Sequence, residues 1–108
     1  MADIHCILTG GTIDSQYNPP RETASPNPNS VIPEYIDTKI KPHPNVTYDE
    51  ICMLDSSDIT NDIRDQICER IQKSAAQNII ISHGTNTMVE TLNYLAKRLP
   101  DTNKTIVL

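Results

Sequence analysis

Three short polar stretches carry the residue types in this chain that could do chemistry. They are Thr9-Gly10-Gly11-Thr12, Asp55-Ser56-Ser57-Asp58 and His83-Gly84-Thr85-Asn86-Thr87. Each follows an apolar run, and together they hold hydroxyls and carboxylates but neither lysine nor arginine. Hydroxyls, backbone amides and a few carboxylates suit a small polar ligand, whereas a polyphosphate calls for cations as well. Two of the chain's three glycines stand side by side at positions 10 and 11. Glycine tolerates positive φ and close backbone approach, so this pair can end a strand sharply and present its amides and Thr12 to a ligand. Taken singly, each stretch also reads as a plain turn, the commonest use of Gly-Gly and of Asp-Ser clusters.

The elements between the turns decide whether they can meet. Residues 3–9 read as a first strand and Val46–Leu54 as a second. From Thr60 to about Ala75, Ile63, Ile67 and Ile71 recur every four residues, which predicts an amphipathic helix. Asp62, Arg64, Asp65, Glu69, Arg70 and Lys73 are assigned mainly to its wet side. The β-branched run Asn78-Ile79-Ile80-Ile81-Ser82 predicts a strand buried on both faces. Met88, Leu92, Leu95, Ala96 and Leu99 outline a second amphipathic helix stopped by Pro100, and Thr87-Met88-Val89-Glu90 has capping-box spacing at its start. Lys104–Leu108 begins a further strand. This alternation predicts an α/β fold, a three-layer doubly wound parallel sheet with right-handed crossovers. Ligands of such sheets bind beyond the carboxyl ends of the strands, which puts all three turns on one rim.

One segment breaks the alternation. Residues 14–45 hold seven of the eight prolines, and proline lacks the amide donor and restricts the residue before it. Regular structure is not expected through most of this stretch, which reads as a surface flap. Val31–Lys41 is assigned a short helix or an extended piece, touching the core through Ile32, Tyr35, Ile36 and Ile40.

The whole-chain quantities bound the rest. A length of 108 residues allows one small domain, and with no Trp or Phe its core must come from Ile, Leu and Val. The net charge of -5 argues against nucleic acid or an anionic membrane as partner. Met1-Ala-Asp-Ile-His offers no basic leader, and no apolar run approaches the length of a membrane span. Cys6, Cys52 and Cys68 are odd in number, without metal-type spacing, and are expected to be buried reduced thiols of a cytoplasmic protein. His5, His43 and His83 show no metal spacing either, and His83 is expected to be a structural hydrogen-bonding residue.

The turns also carry a resemblance. Leu8-Thr9-Gly10-Gly11-Thr12-Ile13 resembles the first signature of the bacterial-type L-asparaginase family. Ser82-His83-Gly84-Thr85-Asn86-Thr87-Met88 resembles the second, and Met53-Leu54-Asp55-Ser56-Ser57-Asp58 resembles the substrate-binding segment between them. The motifs fall in the right order over essentially the whole chain, which looks like the N-terminal part of the type I, short single-domain branch. The resemblance implies hydrolysis of L-asparagine to L-aspartate and ammonia, without metal or cofactor. It makes Thr12 the nucleophile of an acyl-enzyme, Tyr17 the tyrosine approaching it, and Thr85 the second essential threonine. It assigns the oxyanion to amides of the glycine turn and the Thr85 region, so that Gly11 touches substrate. Ser56, with Asp55 and Ser57 beside it, would hold the substrate α-carboxylate.

Two departures bear on activity. Asn86 stands where the family has an aspartate paired with the substrate α-ammonium, and neither Lys97 nor Lys104 matches the family's activating lysine. The 108 residues are therefore expected to be an incomplete domain at the C-terminus, with weak activity or none alone. The alternative is a non-catalytic amino-acid-binding module of the same fold. A third reading, an amidase subunit acting on tRNA-linked glutamate, is disfavoured by the net charge of -5. The resemblance further implies a homo-oligomer, dimer or tetramer.

Overall fold

The computed structural model describes residues 4–11, 14–18, 23–26 and 28–108, and for 16–18 and 23–26 the backbone alone. In chain order the elements are β1 (Ile4–Gly10), a hairpin of β2 (Ser15–Asn18) and β3 (Thr23–Pro26), and α1 (Ile32–Tyr35), which runs into a π-helical turn at Ile36–Ile40. Then come β4 (Val46–Leu54), α2 (Asn61–Lys73), β5 (Asn78–Ser82), α3 (Met88–Arg98) and β6 (Thr105–Val107). β1, β4, β5 and β6 form one parallel sheet in the order β4-β1-β5-β6. The expected α/β architecture is present, and all the parallel strands point their carboxyl ends the same way.

Local chemistry sets the ends of the helices. Thr60 lends its hydroxyl to the amide of Ile63 (3.3 Å) where α2 begins, and Arg70 and Lys73 occupy its last turn, beside the negative end of the helix dipole. α3 starts without such a cap. The hydroxyl of Thr87 donates to the carbonyl of Ser56 (2.7 Å), so the capping box expected at Thr87 and Glu90 does not form. Turned toward that carbonyl, the hydroxyl does not accept from the helix's own amides.

Parallel pairing lines up residues that share a face. Ile7, Ile79 and Ile81 point toward α2 and α3, where Ile67, Cys68, Ile71, Leu95 and Leu99 complete the core. Cys6, Leu8 and Ile80 point the other way, toward the helical segment 32–40. Between that segment and the sheet runs an apolar trough of about 960 Å³. Ile80 is 45% exposed there, while its neighbour Ile79 is 1% exposed. β5 is therefore buried on one face only, contrary to the reading of its β-branched run, because 32–40 stands off the sheet.

The proline-rich stretch is more regular than expected. β2 and β3 pair antiparallel with Tyr17 opposite Ala24, and Pro26 sits at the end of β3, where a two-stranded ladder has no need of its missing amide. Pro33 occupies the first turn of α1, where that amide would lack an intrahelical partner in any case. Ile32, Tyr35, Ile36 and Ile40 line or border the trough, and none of them is buried.

Candidate functional site

All three glycines of the chain converge where β1, β4 and β5 end. Gly10 has φ +104° and Gly11 φ +90°, conformations that favour glycine. A Cβ on Gly10 would stand 2.5 Å from the amide nitrogen of Leu54, one on Gly11 2.8 Å from that of Gly84, and one on Gly84 2.8 Å from Oγ of Ser56. The turns thus interlock, the first on the second and third, the third on the second. Gly11 donates its amide to the carbonyl of Leu54 (3.0 Å). Thr9 stitches β1 to β5, its hydroxyl donating to the carbonyl of Ser82 (2.5 Å) and its amide to Oγ of Ser82 (3.3 Å).

The second and third turns are tied by side chains. Besides Thr87 on Ser56, the amide of Asn86 donates to the hydroxyl of Ser57 (3.1 Å). Asp55 accepts from the amide of Ser57 (3.3 Å), an Asx-type turn that shapes the short 3₁₀ segment Ser56–Asp58. Asp55, Ser57, Thr85 and Asn86 are exposed. Ser56 is different: it is 1% exposed, and its buried Oγ has no hydrogen-bond partner among the described residues. A buried hydroxyl left unpaired costs about 1–3 kcal/mol, so its retention at a junction of three turns marks a place where an incoming acceptor can complete it.

The rim therefore brings together Gly11, Asp55, Ser56, Ser57, Thr85 and Asn86. Thr12 lies outside the described residues, as does the side chain of Tyr17, whose backbone belongs to β2. The apolar trough lies against the sheet face and meets the rim only at Ser82 and His83.

Three residues of this region have roles that the sequence reading did not assign to them. Asp14 is fully buried and accepts from the hydroxyl of Ser30 (2.5 Å) and the amide of Val31 (2.9 Å), fastening the two ends of the excursion that leaves β1. Arg64, assigned to the wet side of its helix, is 9% exposed; its Nε donates to Oγ1 of Thr91 (2.9 Å) and its Nη1 to Oδ1 of Asn61 (2.9 Å). The spacing 64, 67, 68, 71 puts Arg64 on the buried stripe and was the available signal. Thr91, wholly buried on α3, joins Arg64 to His83 (2.8 Å to Nε2).

Thiol chemistry is suppressed nearby. Cys52 donates to the carbonyl of Thr9 (3.4 Å), and burial pushes its pKa up to about 11. Burial raises Cys6 and Cys68 as well, so the three cysteines are poor nucleophiles near neutrality.

The sequence and the fold both match known proteins. The family model described as "Asparaginase, N-terminal" matches residues 3–108. The probable cytoplasmic L-asparaginase of Campylobacter jejuni superposes with a TM-score of 0.67 at 25% identity, over 88% of this chain and 28% of that one. L-asparaginase I of Vibrio cholerae superposes with a TM-score of 0.67 at 23% identity, over 89% of this chain and 30% of that one. The chain thus spans less than a third of either structure. Comparison with curated protein sequences finds no match. With its three signature turns locked together at the carboxyl ends of a parallel sheet, the chain belongs to the asparaginase family and corresponds to its N-terminal domain.

Proposed function

We propose that this chain provides the threonine-bearing half of an amidohydrolase site that converts L-asparagine to L-aspartate and ammonia. The observation that carries the reading is Ser56, a buried hydroxyl without a partner among the described residues, packed against Gly84 of the Thr85 turn. Its free O–H is suited to the α-carboxylate of an amino acid, a charged acceptor that gives a stronger bond than a neutral one.

In this reading the hydroxyl of Thr12 attacks the side-chain carboxamide carbon. Its proton passes to a neighbouring base, with Tyr17 in that role, because a threonine hydroxyl is a weak nucleophile without one. Amides of the glycine and Thr85 turns hold the oxyanion, each worth about 3 kcal/mol in comparable sites. The C–N bond breaks, nitrogen takes a proton and leaves as ammonia, and the acyl group stays on Thr12 as an ester. Water assisted by Thr85 then cleaves that ester, giving aspartate and restoring the hydroxyl. The substrate is an amino-acid amide, and the protein works in the cytoplasm as a homo-oligomer. No described helix is long and apolar enough to cross a membrane.

Asn86 supports a second reading, a binding module without turnover. Its amide is engaged with Ser57, and it carries no charge to pair with a substrate ammonium. Ammonia release from L-asparagine against L-glutamine, with Thr12→Ala as control, separates the two. Turnover abolished by Thr12→Ala supports the hydrolase. Binding of L-aspartate without turnover, lost in Ser56→Ala, supports the module. Absence of both sinks the site.

A further inference from the structure

We infer that Arg64 and Thr91 are positioning residues for the Thr85 turn, acting through a one-way hydrogen-bond chain that ends on the carbonyl of Gly84. The direction follows from which groups can donate. Nε of Arg64 can only donate, so Oγ1 of Thr91 accepts from it at 2.9 Å. The carbonyl of Gly84 can only accept, so the ring nitrogen 2.6 Å from it, Nδ1 of His83, carries the hydrogen. In the Nδ1-protonated tautomer Nε2 is the acceptor, and the hydroxyl of Thr91 donates to it at 2.8 Å. In that tautomer each bond has a single direction, with Thr91 and His83 each accepting from one neighbour and donating to the next. The chain runs from a guanidinium on α2, through α3, to the loop after β5.

Its last bond has a consequence at the rim. The peptide unit is planar and trans, so fixing the Gly84 carbonyl also fixes the Thr85 amide, which lies in the same plane and points the opposite way across the C–N bond. That amide belongs to the turn to which the preceding reading assigns oxyanion stabilisation. The catalytic part of this inference rests on that reading; the tautomer and the peptide orientation do not. Burial argues for a positioning role as well. Thr91 is wholly buried and His83 and Arg64 nearly so, and a buried polar network rigidifies its surroundings when every member is satisfied. Arg64 forms none of the ion pairs found among the described residues, so the buried guanidinium is held by Asn61 and Thr91.

The test uses the 108-residue chain and needs no turnover. Imidazole ¹⁵N spectra should show His83 as the Nδ1-protonated tautomer. Thr91→Val should lose that signature and accelerate hydrogen exchange at the Thr85 amide, and Thr91→Ser should restore both. Arg64→Met should reproduce the accelerated exchange. An Nε2-protonated His83 in the wild-type chain overturns the proposal even if both variants fail to fold. So does a folded Thr91→Val with unchanged tautomer and Thr85 exchange. If L-asparagine is not hydrolysed but the tautomer and exchange behave as stated, the chain of bonds stands and the asparaginase reading alone falls. Where turnover is measured, Thr91→Val should lower kcat more than it changes KM.

Discussion

The two faces of the sheet are built from the same kinds of residue and end in opposite conditions. Ile79 and Ile80 are adjacent in β5, yet one is sealed under α2 and α3 while the other opens into the trough. Composition does not distinguish them; what lies across from each does. On the first face two helices of 13 and 11 residues lay an apolar stripe on the strands. On the second, the α1 and π-helical segment contributes no fully buried side chain. An apolar strand residue contributes to stability through the partner that covers it, so the folding energy of this domain sits mainly on the helix side.

Substitutions can break this contrast or sharpen it. The largest effect belongs to the edge both faces share. Gly10→Ala must relieve both a positive φ and a contact with the backbone of Leu54, and should cost about 3–5 kcal/mol or abolish folding, read by urea denaturation. Next comes the pair within β5. Ile79→Ala should cost about 2–5 kcal/mol, while Ile80→Ala should cost less than about 1 kcal/mol. Equal losses would mean that the trough is filled in solution. At the rim, Ser56→Ala should leave stability unchanged or raise it slightly, since it removes a buried unpaired hydroxyl, while weakening L-aspartate binding.

The smallest effect is a pH dependence at Cys52. Its folded pKa of about 11 lies above the usual thiol value of 9.0, so the folded state keeps its proton longer than the unfolded state does. The stabilising contribution is complete below about pH 9 and is lost as pH rises toward 11. The urea midpoint should decline over that interval, and Cys52→Ala should flatten the decline.

Much of this was legible beforehand because it rests on periodicity. The four-residue recurrence of Ile63, Ile67 and Ile71 gave α2 to within about two residues at either end, and Val46–Leu54 is a strand over its whole expected length. The readings that failed concern partners distant in sequence. The spacing of Arg64 with Ile67, Cys68 and Ile71 marked it for the buried face, but nothing local announces the partner that satisfies its charge there, Thr91, 27 residues away. Thr87 looked like a cap because its actual acceptor, the carbonyl of Ser56, belongs to another turn. The prolines suggested irregular chain, yet Pro26 and Pro33 sit where a missing amide costs nothing. Within the candidate site, the type of each rim residue could be read directly, whereas the unpaired state of Ser56 could not, since it depends on Gly84 lying against it.

The glycine junction also bears on the order in which the chain folds. Its contacts join residues far apart: Thr9 meets Ser82 across 73 positions, and Thr87 meets Ser56 across 31. The complete rim needs β1 beside both β4 and β5, so the loop-closure entropy of most of the chain must be overcome before it is assembled. The helices can gather locally on a faster timescale, but the rim is a late product. A chain stalled on its way to the native state would then display helical content without the interlocked rim, and closure of the rim would report the final step of folding.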